Sequence, residues 1–161
     1  MVINNVGIML FTNGDKHQKK MLFVQEKSYK WNIPAGGKKP YETLFRAMKR
    51  EFKEETNFNL PYIGKFVKLS NKLPPVGKYT YYDYPENKPY IRIYISQIKT
   101  DTSKKELPLK DFKKTDETIN IDEINYKNLL DGNYNLRYKS TFKKMINLGI
   151  LPKLNNHIKY L

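Results

Sequence analysis

Cysteine is absent from the 161 residues, which excludes disulfides, a disulfide-linked partner and thiolate metal sites. No run of about 20 apolar residues occurs, so no membrane-crossing helix is expected. The apolar stretch nearest the start, VGIMLFT (6–12), lacks a basic lead and a small-residue cleavage site, so a secretory leader is not expected either. Histidine is scarce; His17 and His157 read as surface side chains and not as ligands. Acid is missing from one whole region. No Asp or Glu follows Asp131, while Arg137, Lys139, Lys143, Lys144, Lys153 and Lys159 stand there unopposed. These absences suggest a soluble cytoplasmic protein, one domain over 1–161 with a basic C-terminal helix or tail from Gly132 on.

What is present is mostly positive charge: 30 Lys and Arg against 16 Asp and Glu, a net +14. Apolar residues still make up 39% and aromatics 14%, enough for a single core. A field of this sign favours polyanions such as nucleic acid, nucleotides, inositol phosphates or an anionic membrane surface. A coding bias that enriches Lys, Asn, Ile and Tyr together is the other explanation.

Residues 6–12 and 21–27 alternate as two strands joined by a Gly-containing turn. Residues 28–41 hold two Pro and two Gly and read as a loop, and 42–56 read as a helix. Strands are expected at 62–70 and 90–98, with a shorter one at 78–84. Residues 99–118 are polar and expected to be exposed, and 119–130 fit a strand or a short helix equally. Residues 136–151 carry Leu136, Phe142, Met145, Ile146 and Leu148 near helical spacing before Gly149 and Pro152. The order predicts one mixed α/β domain.

The expected helix contains an anomaly, R-E-F-K-E-E at 50–55. At about 100° per residue with Leu44 at zero, Met48 falls at about 40°, Phe52 at about 80° and Ala47 at about −60°. Glu55 falls at about 20° and Glu51 at about −20°, inside this apolar stripe, with Glu54 on its edge at about −80°. Glu51 and Glu55 are also a like-charge i,i+4 pair, unfavourable by itself. Carboxylates that face inward and crowd together must take up protons or hold a cation. Hard divalent ions such as Mg²⁺ or Mn²⁺ suit them. A solvated Glu/Lys helix is the plain alternative.

The sequence from Gly36 onward resembles the signature of the Nudix hydrolases, G-x5-E-x7-R-E-U-x-E-E-x-G-U, with U a bulky apolar residue. Gly36, Glu42, Arg50, Glu51, Phe52, Glu54, Glu55 and Phe58 fall at the signature spacing, preceded by W-N-I-P-A-G-G (31–37). Asn57 replaces the family's glycine, and Asn is the next best residue for a left-handed helix end. The resemblance implies a Nudix-type α/β/α sandwich with a mixed sheet, and Mg²⁺- or Mn²⁺-dependent hydrolysis of a pyrophosphate link. It implies Glu51, Glu54 and Glu55 as metal ligands, one of them a possible base, with the carbonyl of Ala35 or Gly36 completing the shell. Arg50 would orient a glutamate, and Glu42 would hold the loop. A base from a later loop is the alternative, with Asp116, Glu117, Asp122 and Glu123 as candidates. Lys38 and Lys39 lie in the signature loop and are expected to contact phosphate. Trp31 and the tyrosines of 78–84 could stack a base or serve only packing.

The signature reports the reaction and leaves the substrate open. A free nucleotide or nucleoside-diphosphate derivative ranks first. Capped RNA ranks second, with Arg137, Lys139, Lys143 and Lys144 holding the backbone. A diphosphoinositol polyphosphate ranks third, on P-A-G-G-K-K-P-Y-E alone. A Nudix-fold binding module without activity is the reading from another class; such modules tend to lose signature glutamates, and all are kept here.

Overall fold

Alternating apolar residues with both faces buried build the central strands. In β1 (Asn5–Asp15), Val6, Ile8 and Leu10 point to one face and Met9 to the other. In β2 (Gln18–Glu26), Leu22 and Val24 share the first face and Met21 and Phe23 the second. The computed structural model describes residues 2–15, 18–58, 63–66, 80–84, 91–98, 109–125, 128–129, 134–137, 139 and 142–143. At 11–15, 18–19, 63–66, 80–84 and 95–98 this description is of the backbone. His17, His157, Lys144, Lys153 and Lys159, and most of the expected helix at 136–151, lie outside the described residues.

The remaining elements are β3 (Trp31–Asn32), β4 (Ala35–Gly37), α1 (Leu44–Thr56), β5 (Ile63–Phe66), β6 (Thr80–Tyr84), β7 (Ile91–Ile98), a 3₁₀ turn (Leu109–Asp111) and β8 (Thr118–Asn125). They form one mixed sheet with a path β3-β2-β1-β7-β5; β4 pairs with β1, β6 with β7 and β8 with β2. β1 and β7 run parallel, from Asn5↔Ile91 to Phe11↔Gln97, and the other strand pairs are antiparallel.

Each face of the sheet has its own apolar cluster. Ala47, Met48 and Phe52 of α1 close over Val6, Ile8, Leu10, Leu22, Val24, Tyr94 and Ile121. On the opposite face Leu129, Leu136 and Phe142 join Met9, Met21, Phe23, Trp31, Ile93 and Ile124. Phe23 and Phe142 meet with ring centroids 5.6 Å apart. The sheet is thus sandwiched, as the α/β reading expects. The loop expected at 28–41 contains β3 and β4, whose two and three residues are too few to show a period. The ambiguous stretch from 119 begins as β8, because Ile121 and Ile124 face opposite clusters. The segment 99–118, expected to be exposed, is partly anchored: Leu109 and Phe112 are half-buried against the α1 cluster. Among the described residues no helix is long and apolar enough to cross a membrane.

Candidate active site

α1 is capped at both ends, which fixes the phase of its glutamates. Thr43 is the N-cap, its hydroxyl accepting from the Arg46 N–H at 3.2 Å. Asn57 ends the helix at φ 60°, ψ 11°, its N–H donating to the Lys53 carbonyl at 2.8 Å. Between the caps Ala47, Met48, Glu51, Phe52, Glu55 and Thr56 are buried. Glu51 and Glu55 thus lie within the apolar stripe, while Glu54 sits at its edge with its side chain 44% exposed.

The strand before the helix meets these carboxylates. β4 pairs with β1 (Val6↔Gly36, Gly7↔Ala35), and the Ala35 N–H donates to Glu55 Oε2 at 3.2 Å. A Cβ on Gly36 would lie 2.1–2.4 Å from the three atoms of the Glu51 carboxyl group. No side chain fits there while Glu51 holds its place, so the backbone and the carboxylate share one space.

Arg50 organises the rim. Its Nε and Nη2 grip both oxygens of Glu42 at 2.8 Å each. Nη1 donates to Glu51 Oε1 at 2.8 Å and to Glu54 Oε2 at 3.2 Å, and Nη2 also donates to the Gly37 carbonyl at 2.8 Å. Glu42 in turn accepts from the Lys39 N–H at 2.9 Å, which ties the loop to the helix. The Arg50 contact holds the Glu42 carboxyl down at about 2. The same carboxylates hold the Arg50 guanidinium above its ordinary value.

A third carboxylate arrives from the turn before β8. The Thr115 hydroxyl accepts from the N–H groups of Glu117 and Thr118 at 3.2 and 3.0 Å, shaping that turn. One oxygen from each of Glu51, Glu55 and Glu117 lies within 4.8 Å of the other two. Burial raises Glu51, against the pull of Arg50. Burial, reinforced by the charges of Glu51, Glu117 and Glu26 and opposed by the Ala35 N–H, pushes Glu55 up to about 9. An all-oxygen cluster short of counter-charge, against a backbone that has given up its side chain, fits a hard divalent cation.

The trio opens into a cavity of about 550 Å³ whose wall includes Glu26, Lys27, Asn32, Gly36, Asp116 and Arg137. The structure therefore brings Gly36, Glu51 and Glu55 together, adds Glu117 and Asp116 from the four later acids, and leaves Glu54 on the rim. Asp122 lies away from the cavity and accepts from the Tyr134 hydroxyl at 3.1 Å; Glu123 is likewise not on the wall. Lys38 and Lys39 are not on the wall either; the Lys38 ammonium donates to the carbonyls of Lys39 and Pro40 at 3.1 and 3.4 Å. The Trp31 ring is buried in the opposite core, edge-on to Tyr134 at 5.6 Å, so it faces packing and not the cavity. Lys139 and Lys143 are exposed, and Arg137, expected only as a polyanion contact, is on the cavity wall. Glu26 has no motif around it, and Asn32 stands in the lead-in W-N-I-P-A-G-G as a variable position, so neither is singled out by the sequence.

A sequence profile described as the NUDIX domain matches residues 1–141. The chain belongs to the Nudix family, a family of pyrophosphohydrolases. Among solved structures it resembles a C. elegans Ap4A hydrolase in a binary complex, at TM-score 0.63 and 14% identity over 99% of this chain and 100% of that one. It also resembles the M. smegmatis Nudix hydrolase RenU, at TM-score 0.60 and 11% identity over 91% and 84%. A third likeness is the Nudix domain of Shewanella oneidensis NrtR complexed with ADP-ribose, at TM-score 0.53 and 15% identity over 92% and 88%. At these identities the likeness is one of fold. No curated protein matches the chain in sequence.

Proposed function

We propose that the chain hydrolyses the pyrophosphate link of a nucleoside-diphosphate derivative with Mg²⁺ or Mn²⁺ held by Glu51, Glu55 and Glu117. The observation that carries this reading is the convergence of those three carboxylates, one oxygen of each within 4.8 Å of the other two, with Glu51 packed where Gly36 carries no side chain. When bound, the cation supplies charge that neutralises the diphosphate and polarises its oxygens. Arg50, anchored on Glu42, fixes the rotamer of Glu51, so the ligand set is preorganised. Glu54 Oε2 accepts from Arg50, and the group is solvent-accessible, which suits it to take a proton from the attacking water. Asp116, on the cavity wall, is the other group placed for that role.

The cavity accommodates a nucleotide-sized ligand, and free nucleoside-diphosphate derivatives, including dinucleoside polyphosphates and ADP-ribose, rank ahead of capped RNA and diphosphoinositol polyphosphates. Exposed Lys139 and Lys143, with Lys144 beside them in sequence, keep RNA as the second reading, in a single domain whose basic C-terminal part begins near Gly132. The purified protein with Mg²⁺ or Mn²⁺ is assayed on a panel of these compounds. Metal-dependent release of a nucleoside monophosphate from one of them is expected. Binding without turnover across the panel would instead make the chain a non-catalytic Nudix module. Glu54→Gln is expected to lower kcat about 100-fold or more with metal affinity kept, and Asp116→Asn to leave kcat near wild type; the reverse would assign the base to Asp116.

A further inference from the structure

The segment 134–137 is stitched to β3. The Trp31 N–H donates to the Asn135 carbonyl at 2.7 Å and the Arg137 N–H donates to the Trp31 carbonyl at 2.9 Å, a parallel bridge that pairs Trp31 with Leu136. Trp31 and Leu136 both enter the core away from α1. The next residues in register, Asn32 and Arg137, therefore face the α1 side, where both line the cavity with Glu51 and Glu55. Asn32 also lies opposite Val24, a member of the α1 cluster.

Asn32 is only 5% exposed. Its Oδ1 accepts from the Ile33 N–H at 2.9 Å, and among the described residues nothing accepts from its Nδ2. A buried amide donor left in this state calls for an acceptor, and the cavity that Asn32 lines is where one can enter. Arg137 donates from Nη1 to Glu26, whose carboxylate also takes the Ser28 hydroxyl at 3.4 Å. Arg137 has a further contact besides Glu26, and a guanidinium, with five donor hydrogens in a planar fork, can hold several acceptors at once. The wall carries five acids, Glu26, Glu51, Glu55, Asp116 and Glu117, against two bases, Lys27 and Arg137. Arg50 is committed to three glutamates and a carbonyl. A diphosphate entering this acidic cavity therefore meets Arg137 as the guanidinium on its wall.

We propose that Asn32 and Arg137 form a phosphoryl subsite, the two donors binding non-bridging oxygens of the substrate's diphosphate while Glu26 holds the guanidinium in place. The proposal rests on the pyrophosphohydrolase reading for its ligand class. A phosphoryl group offers only acceptors, which matches two donors on one wall of the cavity, whereas a nucleobase edge presents donors as well.

Calorimetry with α,β-methylene-ADP in Mn²⁺ tests the subsite without turnover, and Mn²⁺ alone is titrated in parallel. Arg137→Gln and Asn32→Ser are each expected to weaken the probe about tenfold or more, with Mn²⁺ affinity kept within about twofold. Arg137→Lys should fall between wild type and Arg137→Gln. Because Asn32 is buried, melting curves accompany its variant; Arg137, about half exposed, decides the question if Asn32→Ser fails to fold. Probe affinity unchanged in Arg137→Gln overturns the proposal. So does recovery in Glu26→Gln/Arg137→Gln, which would show that Arg137 merely neutralises Glu26, and so does an equal loss of Mn²⁺ affinity. A wild type that ignores the probe also overturns it. Wild-type binding lost in Arg137→Gln, with no compound in the panel hydrolysed, would sink the hydrolase reading and leave the subsite standing.

Discussion

Glu55 is a carboxylate whose environment suits a proton unless a cation takes its place. Burial holds its carboxyl at about 9 in the metal-free protein, against an ordinary 4.5. Between those values the folded chain binds a proton that the unfolded chain has released, so ν_U − ν_N is negative and stability falls as pH rises. The contribution is fully present below about 4.5 and lost as pH climbs through about 9. In chelator, the wild-type melting temperature should decline from about pH 5.5 to about pH 8.5, and Glu55→Gln should flatten that decline. A pH-independent wild type would mean that Glu55 is ionised with a protein partner. Added Mg²⁺ should stabilise more at the alkaline end, because the proton must leave before the cation binds. Gly36→Ala is a sharper probe of the same space. Its methyl would displace the Glu51 carboxyl, lowering kcat by about 100-fold while the helix and its melting temperature survive, if a shift of about 1 Å is all that follows. Near wild-type turnover in that variant would remove Glu51 from the ligand set.

α1 was the most legible element, because its glutamates break the amphipathic pattern that the rest of the helix obeys. Its N-terminus was less so: 42–56 was expected, and the helix starts at Leu44 since Thr43 spends its side chain on the cap. Thr43→Ala should cost about 1 kcal/mol, measured by urea denaturation. At the other end Asn57 is at positive φ, so Asn57→Ala should cost about 1 kcal/mol and Asn57→Gly should stay within about 0.5 kcal/mol of wild type. Equal stability of all three would mean that the helix end is frayed in solution. The choice of Glu117 from four later acids could not be read locally, because it depends on β8 crossing to lie beside β2. Arg137 is legible in the sequence only as a polyanion contact, and its place on the same wall as Asn32 is not, because that comes from a bridge between segments more than 100 positions apart. Lys38 and Lys39 have the right place in the motif, yet neither lines the cavity, and the Lys38 ammonium turns to the carbonyls of its own loop.

At the scale of the molecule, a chain of net charge +14 contains an acidic cavity. If the C-terminal lysines serve a long polyanion, RNA affinity should fall steeply with salt. Lys139→Gln, Lys143→Gln and Lys144→Gln together should then flatten that dependence by up to about three contacts, leaving hydrolysis of a small nucleotide unchanged. A triple variant identical to wild type in both assays would assign the charge to composition. The parallel pairing of β1 with β7 has a consequence for biosynthesis. β1 is central to the sheet, and its parallel neighbour emerges only with Ile91–Ile98; β2 waits longer still for one of its neighbours, Thr118–Asn125. A nascent chain shorter than this carries Val6, Ile8, Met9, Leu10, Leu22 and Phe23 on strands without those partners, a template for pairing with another chain. Completion of this sheet therefore waits until Asn125 has been made, and chains ending before Asn125 are expected to aggregate on release from the ribosome, measured as loss from the supernatant relative to the 161-residue chain.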